Sequence, residues 1–263
     1  MIDLHTHVLP GLDDGVADAA AALALVRRSV AGGVSTIAAT PHVREDYPTT
    51  PEQMEAALAA LAAAASAVGL EVDLRGGAEI AVDRVRELSD EELGRFGLGG
   101  NPGVILLEFP YFGWSLGLGF ACARLRRLGI VPVVAHPERN GEVQAQPRRL
   151  EELVTGGALV QLTTGSLAGA FGSRARTTAL RLLDLRLAHL LATDSHGSSR
   201  DVGLSEARAE LADDPLADWL ADDVPRALLS GRPLPPRPRG EPRRHLSRLR
   251  TIFTERGRIS GRH

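Results

Sequence analysis

Apolar and β-branched residues gather into seven short runs: Ile2–Val8, Val34–Ala39, Val72–Ile80, Val104–Phe109, Ile130–Ala135, Ala158–Thr163 and Leu187–Thr193. Several are continuously apolar, the pattern of strands buried on both faces. Helical stretches fall between them, some with legible start signals. Thr50-Pro51-Glu52-Gln53 supplies a Thr N-cap, a proline at the first helical position and a capping-box glutamine. Ser89-Asp90-Glu91-Glu92 is a second capping box. Gln146-Pro147 opens a helix that Gly156-Gly157 closes. The alternation predicts an α/β fold with a parallel sheet, either a barrel or a doubly wound open sheet; periodicity alone does not separate the two.

The polar residues at the strand exits favour the barrel. His5, His7, Asp14, His42, Glu79, Glu108, His136, Asp194 and His196 each lie at or just beyond the end of an apolar run. A barrel brings all strand C-termini to one face, where an open sheet would spread them along an edge. Five of the chain's eight histidines belong to this set of nine. Nitrogen and oxygen donors without sulfur suit Mn, Zn or Fe. Nine donors exceed the needs of one ion and fit two or three sharing bridging carboxylates, a pattern that points to metal-assisted phosphoester hydrolysis.

Each donor also has an ordinary reading. His5-Thr6-His7 places two imidazoles on one face of a strand, because side chains alternate. Asp13-Asp14 follows a Pro-Gly turn, and either aspartate is also a natural cap for a helix starting at Gly15; Asp14 is the candidate ligand. His42 alone would be a loop histidine and Glu79 a solvated strand end. Glu108 and His136 follow Val104–Leu107 and Val131–Ala135. In such apolar company a carboxylate or imidazole needs a partner, and a metal is a natural one.

Taken together, Met1–His7, Asp13-Asp14-Gly15, Ala39–His42, Gly77–Glu79, Leu107–Pro110, His136–Arg139, Thr164–Leu167 and Asp194–His196 resemble the PHP (polymerase and histidinol phosphatase) superfamily. Within it they look like the bacterial protein-tyrosine phosphatases encoded with capsule and exopolysaccharide genes. Generic PHP phosphatases usually carry histidine where Glu108 stands, so Leu-Glu-Phe-Pro favours the tyrosine phosphatase branch. The resemblance implies a distorted (β/α)7 barrel, a trinuclear site often supplied with Mn2+ (Fe or Zn as alternatives), and attack on phosphorus by a metal-activated hydroxide. It assigns His5, His7, Glu79 and Asp194 to one metal, Glu79, Glu108 and His136 to a second, and Asp14, His42 and His196 to a third. Its implied partner is a phosphotyrosine protein, a bacterial tyrosine kinase that regulates polysaccharide export.

Arg139 and Arg200 are candidate phosphate clamps, since a guanidinium grips phosphate bidentately; either is otherwise a plain surface arginine. The loop Tyr111-Phe112-Gly113-Trp114 is placed to stack on a phosphotyrosine ring or simply to cover the barrel. Asn140 stands where relatives more often have an aromatic residue, which is expected to alter contacts at the pocket rim. Cys122 is not followed by an arginine six residues on but by Leu128, so the Cys-x5-Arg signature is absent; Cys122 reads as a core residue. His189 reads as a packing histidine.

Composition changes the picture mainly at the end. Residues 232–263 hold ten Arg against two Glu, a net +8, leaving −11 on the preceding part of a chain whose total is −3. The expected domains are therefore a barrel over 1–231 and an Arg/Pro-rich extension over 232–263, disordered or with a short helix near Leu246–Phe253. This extension is either a solvated spacer or an arm for an acidic partner or phospholipid. The acidic body argues against specific nucleic-acid binding. The single cysteine, the lack of a signal peptide and the lack of a membrane-length apolar segment predict a cytoplasmic protein, membrane-associated only through its kinase partner. Rival readings are a small-molecule phosphomonoesterase such as histidinol phosphatase, and a non-catalytic regulatory module.

Overall fold

In the computed structural model, which describes residues 1–198, 201–211 and 215–239, the seven apolar runs pair as one curling parallel sheet. Its strands are β1 (Ile2–Thr6), β2 (Thr36–Ala39), β3 (His42–Val43), β4 (Asp73–Arg75), β5 (Glu79–Ala81), β6 (Val104–Glu108), β7 (Val131–Val134), β8 (Leu159–Thr163) and β9 (Leu190–Ala192). One ladder runs β1-β2-β4 and the other β3-β5-β6-β7-β8-β9, all parallel. The ends meet: Asp194 N donates to His5 O and His7 N to Ser195 O, both at 2.9 Å. These bonds close a distorted (β/α)7 barrel.

The distortion comes from two runs that break. The second continues past Thr40-Pro41 into β3, and the third is interrupted at Gly76–Ala78 between β4 and β5. Pro41 has no N–H to give a ladder, although its carbonyl still accepts from Glu79 N at 3.0 Å. Gly76 and Gly77 sit where backbone and neighbours crowd; a Cβ on Gly76 would come within 2.8 Å of Met54 Sδ. Pairing resumes beyond both breaks, with His42 opposite Glu79. Seven strand positions thus contain nine segments.

The helix starts follow the sequence signals. Gln53 N donates to Thr50 Oγ1 and Thr50 N to Gln53 Oε1, completing the first capping box; Ser89 and Glu92 complete the second. Pro147 opens a short 3-10 turn that continues into the helix Glu151–Thr155, capped at Gly156. The helix after β1 departs from expectation. It spans Ala19–Ala31 and is capped by Asp18, so neither Asp13 nor Asp14 is its cap.

Ile37, Ile80, Leu106, Leu107, Val134, Val160, Leu162 and Leu191 are fully buried, consecutive residues facing alternately the barrel interior and the helices. Cys122 is buried on the helix Gly117–Arg127, and burial pushes its thiol up to about 11, as expected of a core residue. His189 packs beside Trp219, and its Nδ1 accepts from Val160 N; burial and then Arg237 pull it down to about 4. Residues 232–239 carry no regular structure but lie against the barrel: Trp219 Nε1 donates to Pro235 O, and Arg237 covers the Trp219 ring. Residues 240–263, with the expected helix near Leu246–Phe253, lie outside the described residues.

One core residue is charged in solution. Asp3 is completely buried on β1, accepting from Thr193 N at 3.0 Å and from Thr193 Oγ1 at 2.6 Å. Burial pushes its carboxyl up from 3.8 to about 6 despite these bonds. A folded-state pKa above the unfolded one favours the protonated form. Its stability contribution is therefore full below about pH 4 and is lost as pH rises through about 6, a difference of ~3 kcal/mol at most. Asp3→Asn should remove this dependence. Its amide would donate to Thr193 Oγ1, whose hydroxyl can turn to His5 O, 3.5 Å away. The stability of Asp3→Asn relative to wild type, read from denaturant melts, should rise between pH 5 and pH 8. A constant difference would mean that Asp3 is ionised throughout.

Candidate metal centre

The barrel delivers all nine predicted donors to its C-terminal mouth. His5 ends its strand one residue early and His7 lies just past it; His42 opens β3 and Glu79 opens β5, both immediately after the breaks. Glu108 ends β6, while His136, Asp194 and His196 follow β7 and β9. The breaks therefore do positional work: they turn two strand interiors into two additional strand beginnings at site depth. His136 and Asp194 adopt φ of 35° and 52°, left-handed values uncommon for non-glycine residues. Such strain persists where the surroundings over-determine it, and here it aims both side chains inward.

Glu79 is the hub. Its Oε1 lies 2.8 Å from His136 Nε2, and its Oε2 lies 3.3, 3.5 and 3.1 Å from His5 Nε2, His7 Nε2 and His42 Nδ1. Asp194 Oδ1 is 3.3 Å from both His5 Nε2 and His7 Nε2. On the outer side Asp14 Oδ1 meets His42 Nε2 at 3.4 Å and His196 Nε2 at 3.5 Å. Donor atoms lie within 4.8 Å of one another in three groups: His5, Glu79, His136 and Asp194; His7, Asp14, His42 and His196; and His42, Glu79 and Glu108. Of the three sets that the resemblance implies, Asp14, His42 and His196 fall in one group, which His7 joins, and His5, Glu79 and Asp194 fall in another, with His136 in the place of His7. In the third, Glu79 meets both His136 and Glu108, and it is His42 that completes the group around Glu108.

These residues fit divalent cations. Glu79 Oε2 and His42 Nδ1 are buried and, though 3.1 Å apart, have no hydrogen-bonding geometry with each other or with any other group among the described residues. Four carboxylates and five imidazoles converge without sulfur, the donor chemistry of Mn, Zn or Fe. Burial pushes the Glu79 and Asp194 carboxyls up, but the surrounding imidazoles outweigh it and hold both well below the usual range. The His7 ring shows the complement: burial pulls it down, and Asp13, Asp194 and Glu79 together raise it.

Asp13 and Gln161 carry roles that the sequence did not mark. Asp13 Oδ2 accepts from His7 Nδ1 at 2.7 Å and from His42 N at 3.0 Å, and the His7 ring, after the opposing effect of burial, brings its carboxyl down to about 2. Gln161 Oε1 lies 3.1 Å from His5 Nδ1. Both partners occupy Nδ1 and leave Nε2 facing the centre, the arrangement that orients metal-binding histidines. The only signal for Asp13 was its place beside Asp14. Gln161 sits mid-strand with none.

A cavity of about 270 Å³ opens over the centre, lined at its rim by Arg44, Tyr111, Arg139 and Phe171. Arg139 lies between the rings of Tyr111 (4.8 Å) and Phe171 (4.2 Å), and its Nη1 donates to Asp194. Arg44, unmarked in the sequence, donates to Glu108 at 2.8 Å. Arg200 lies outside the described residues. The 111–114 loop divides its roles. Tyr111 stacks on His136 with ring centroids 5.8 Å apart, Trp114 packs on Phe109 and Arg149, and Phe112 is 90% exposed. Asn140 is buried; its amide donates to Pro110 O and Gly113 O while its Oδ1 caps the helix Gly141–Ala145. It thereby pins the rim loop from beneath.

Comparison with known proteins places the chain beside one group. The profile of a family described as capsular polysaccharide synthesis, CpsB/CapC, matches residues 1–214. The chain is 35% identical over 199 residues to the tyrosine-protein phosphatase YwqE of Bacillus subtilis, covering 74% of this chain and 77% of that one. It is 28% identical over 204 residues to the tyrosine-protein phosphatase CpsB of Streptococcus pneumoniae, covering 74% and 83%. A crystal structure from work on YwqE and CpsB, described as unique metal-dependent tyrosine phosphatases, superposes with a TM-score of 0.80. It has 31% identity and covers 92% of this chain and all of that one.

Proposed function

The chain belongs to the CpsB/CapC family of capsular polysaccharide synthesis proteins, and from that premise we propose that it is a metal-dependent protein-tyrosine phosphatase. The observation that carries this reading is the gathering of nine nitrogen and oxygen donors, Glu79 among them, into three adjoining groups beneath a rim of arginine and aromatic side chains. His5, His7, Asp14, His42, Glu79, Glu108, His136, Asp194 and His196 would hold two or three divalent ions, Mn2+ foremost. Ions held there would act as Lewis acids, acidifying a water and neutralising charge on the phosphoryl oxygens.

The chain's own groups supply the rest. Arg139, fixed by two aromatic faces and Asp194, presents a guanidinium to the phosphoryl group. Tyr111 offers a flat ring at the rim against which a phosphotyrosine ring can lie. Asp13 and Gln161 hold His7 and His5 in the tautomers that donate through Nε2. No side-chain nucleophile is needed, and Cys122 is buried in the core. The protein substrate is a phosphorylated tyrosine kinase of the capsule or exopolysaccharide machinery. No described helix is long and apolar enough to cross a membrane.

The test is turnover of a phosphotyrosine peptide by metal-stripped protein re-supplied with Mn2+, beside histidinol phosphate as competitor and His136→Ala as control. Restored activity that prefers the peptide and disappears in the variant is expected. Preference for histidinol phosphate would overturn the substrate, and inactivity with every divalent metal would overturn the reaction.

A further inference from the structure

We propose that Arg44 is the second arm of a phosphate clamp, opposite Arg139, and that together they make the cavity selective for a dianionic phosphoryl group. The inference rests on the phosphatase reading and deepens it.

Among the described residues two guanidiniums line the cavity, and they are held alike. Arg139 follows β7 and spends Nη1 on Asp194; Arg44 follows β3 and spends Nη1 on Glu108. Each anchoring carboxylate belongs to the donor cluster, and β5 and β6 stand between β3 and β7 in the sheet, so the two arginines reach the mouth from separate strand positions. Each also rests on an aromatic face: Arg139 on Tyr111 and Phe171, Arg44 on Tyr47 at 5.0 Å. Arg44 directs Nε to Asp46 at 2.8 Å, which fixes the plane of the fork. Its Nη2 makes no hydrogen bond among the described residues, and the side chain keeps 25% of its surface exposed.

A guanidinium that only neutralised Glu108 would not need this orientation. A lysine would neutralise Glu108 equally well as a point charge. What a lysine lacks is a planar fork that keeps one N–H on the carboxylate and offers another to a phosphoryl oxygen. With two arms at the mouth, a monoester dianion meets two forks, whereas a diester or a carboxylate leaves one fork unmatched.

The experiment measures inorganic phosphate on the metal-loaded full chain in three forms: wild type, Arg44→Ala and Arg44→Lys. Phosphate binding is read calorimetrically, and as competitive inhibition where the form turns over a phosphotyrosine peptide. Metal content is measured in each. Loss of one charge-assisted hydrogen bond should weaken phosphate and raise KM about tenfold in Arg44→Ala. Arg44→Lys should recover only part of that, and metal content should be unchanged in both. Unchanged phosphate affinity in both variants would overturn the proposal. So would a loss of affinity that follows a loss of metal, since Arg44 would then act through Glu108 alone. A wild-type protein that binds phosphate through Arg44 but hydrolyses no phosphotyrosine peptide would uphold the clamp and sink the phosphatase reading instead.

Discussion

Glu79→Gln is expected to empty the metal centre and to lower kcat/KM for a phosphotyrosine peptide by at least about a hundredfold, since even outer partners of a metal site typically cost 10–100-fold. That is ~2.7 kcal/mol of lost transition-state stabilisation. Four imidazoles approach its two oxygens, and it is completely buried. An amide of the same shape keeps one acceptor but loses the charge that can bridge two cations. The fold should survive: Glu79 is one of the carboxylates that raise His5 and His7, so with it neutral these two rings lose a reason to be protonated, and the neutral form is the cheaper state for a buried imidazole. Metal content by elemental analysis, turnover and the melting midpoint should therefore separate cleanly, the first two falling and the third holding. A variant with full metal content and wild-type turnover would remove Glu79 from the hub.

Why the residues alone marked Glu79 as a donor, while only the resemblance put it on two metals, is a matter of range. A carboxylate after Gly76-Gly77-Ala78 and inside an apolar run is visible in one dimension. The position opposite His42 that lets it meet four rings depends on two strand breaks. Pro41 and the glycine pair announce those breaks only weakly, because the apolar run continues on both sides. The same distinction runs through the site. His5, His7, Glu108, His136, Asp194 and His196 stand out because each interrupts or follows a largely apolar run. Asp13, Gln161 and Arg44 act on groups 6, 156 and 64 residues away. Asp13 was read as a cap because aspartate before a helix usually is one, yet Asp18 stands closer to the first helical residue and takes the role. Gln161 is a polar residue in a buried strand, a local inconsistency whose reason, the orientation of His5, is purely tertiary. Asn140 was legible as a departure at the rim, but its downward bonds to the 110–113 backbone were not.

Arg139→Ala is expected to cost about a hundredfold in kcat/KM, the lower end of what removing one preorganised donor to a charged transition state costs. The side chain is held before substrate arrives, by Tyr111 and Phe171 on its faces and by Asp194 at Nη1, so little ordering remains to be done at the moment of reaction. Asp194 keeps His5 and His7 as partners when the guanidinium goes, and the metal content should therefore stay at the wild-type level. Arg139→Lys should rescue little. An ammonium restores the charge but neither the fork nor the flat surface that two rings enclose, and the longer reach to Asp194 would leave no N–H directed at phosphate. Kinetics of both variants at saturating metal, with phosphate as competitor, check this. If the loss falls on kcat as well as KM, Arg139 stabilises the transition state beyond holding the substrate, as its preorganisation requires. If Arg139→Lys matches wild type, charge alone suffices and the stacked geometry has no part in catalysis. If Arg139→Ala instead loses metal, the guanidinium serves Asp194, and phosphate recognition falls to Arg44.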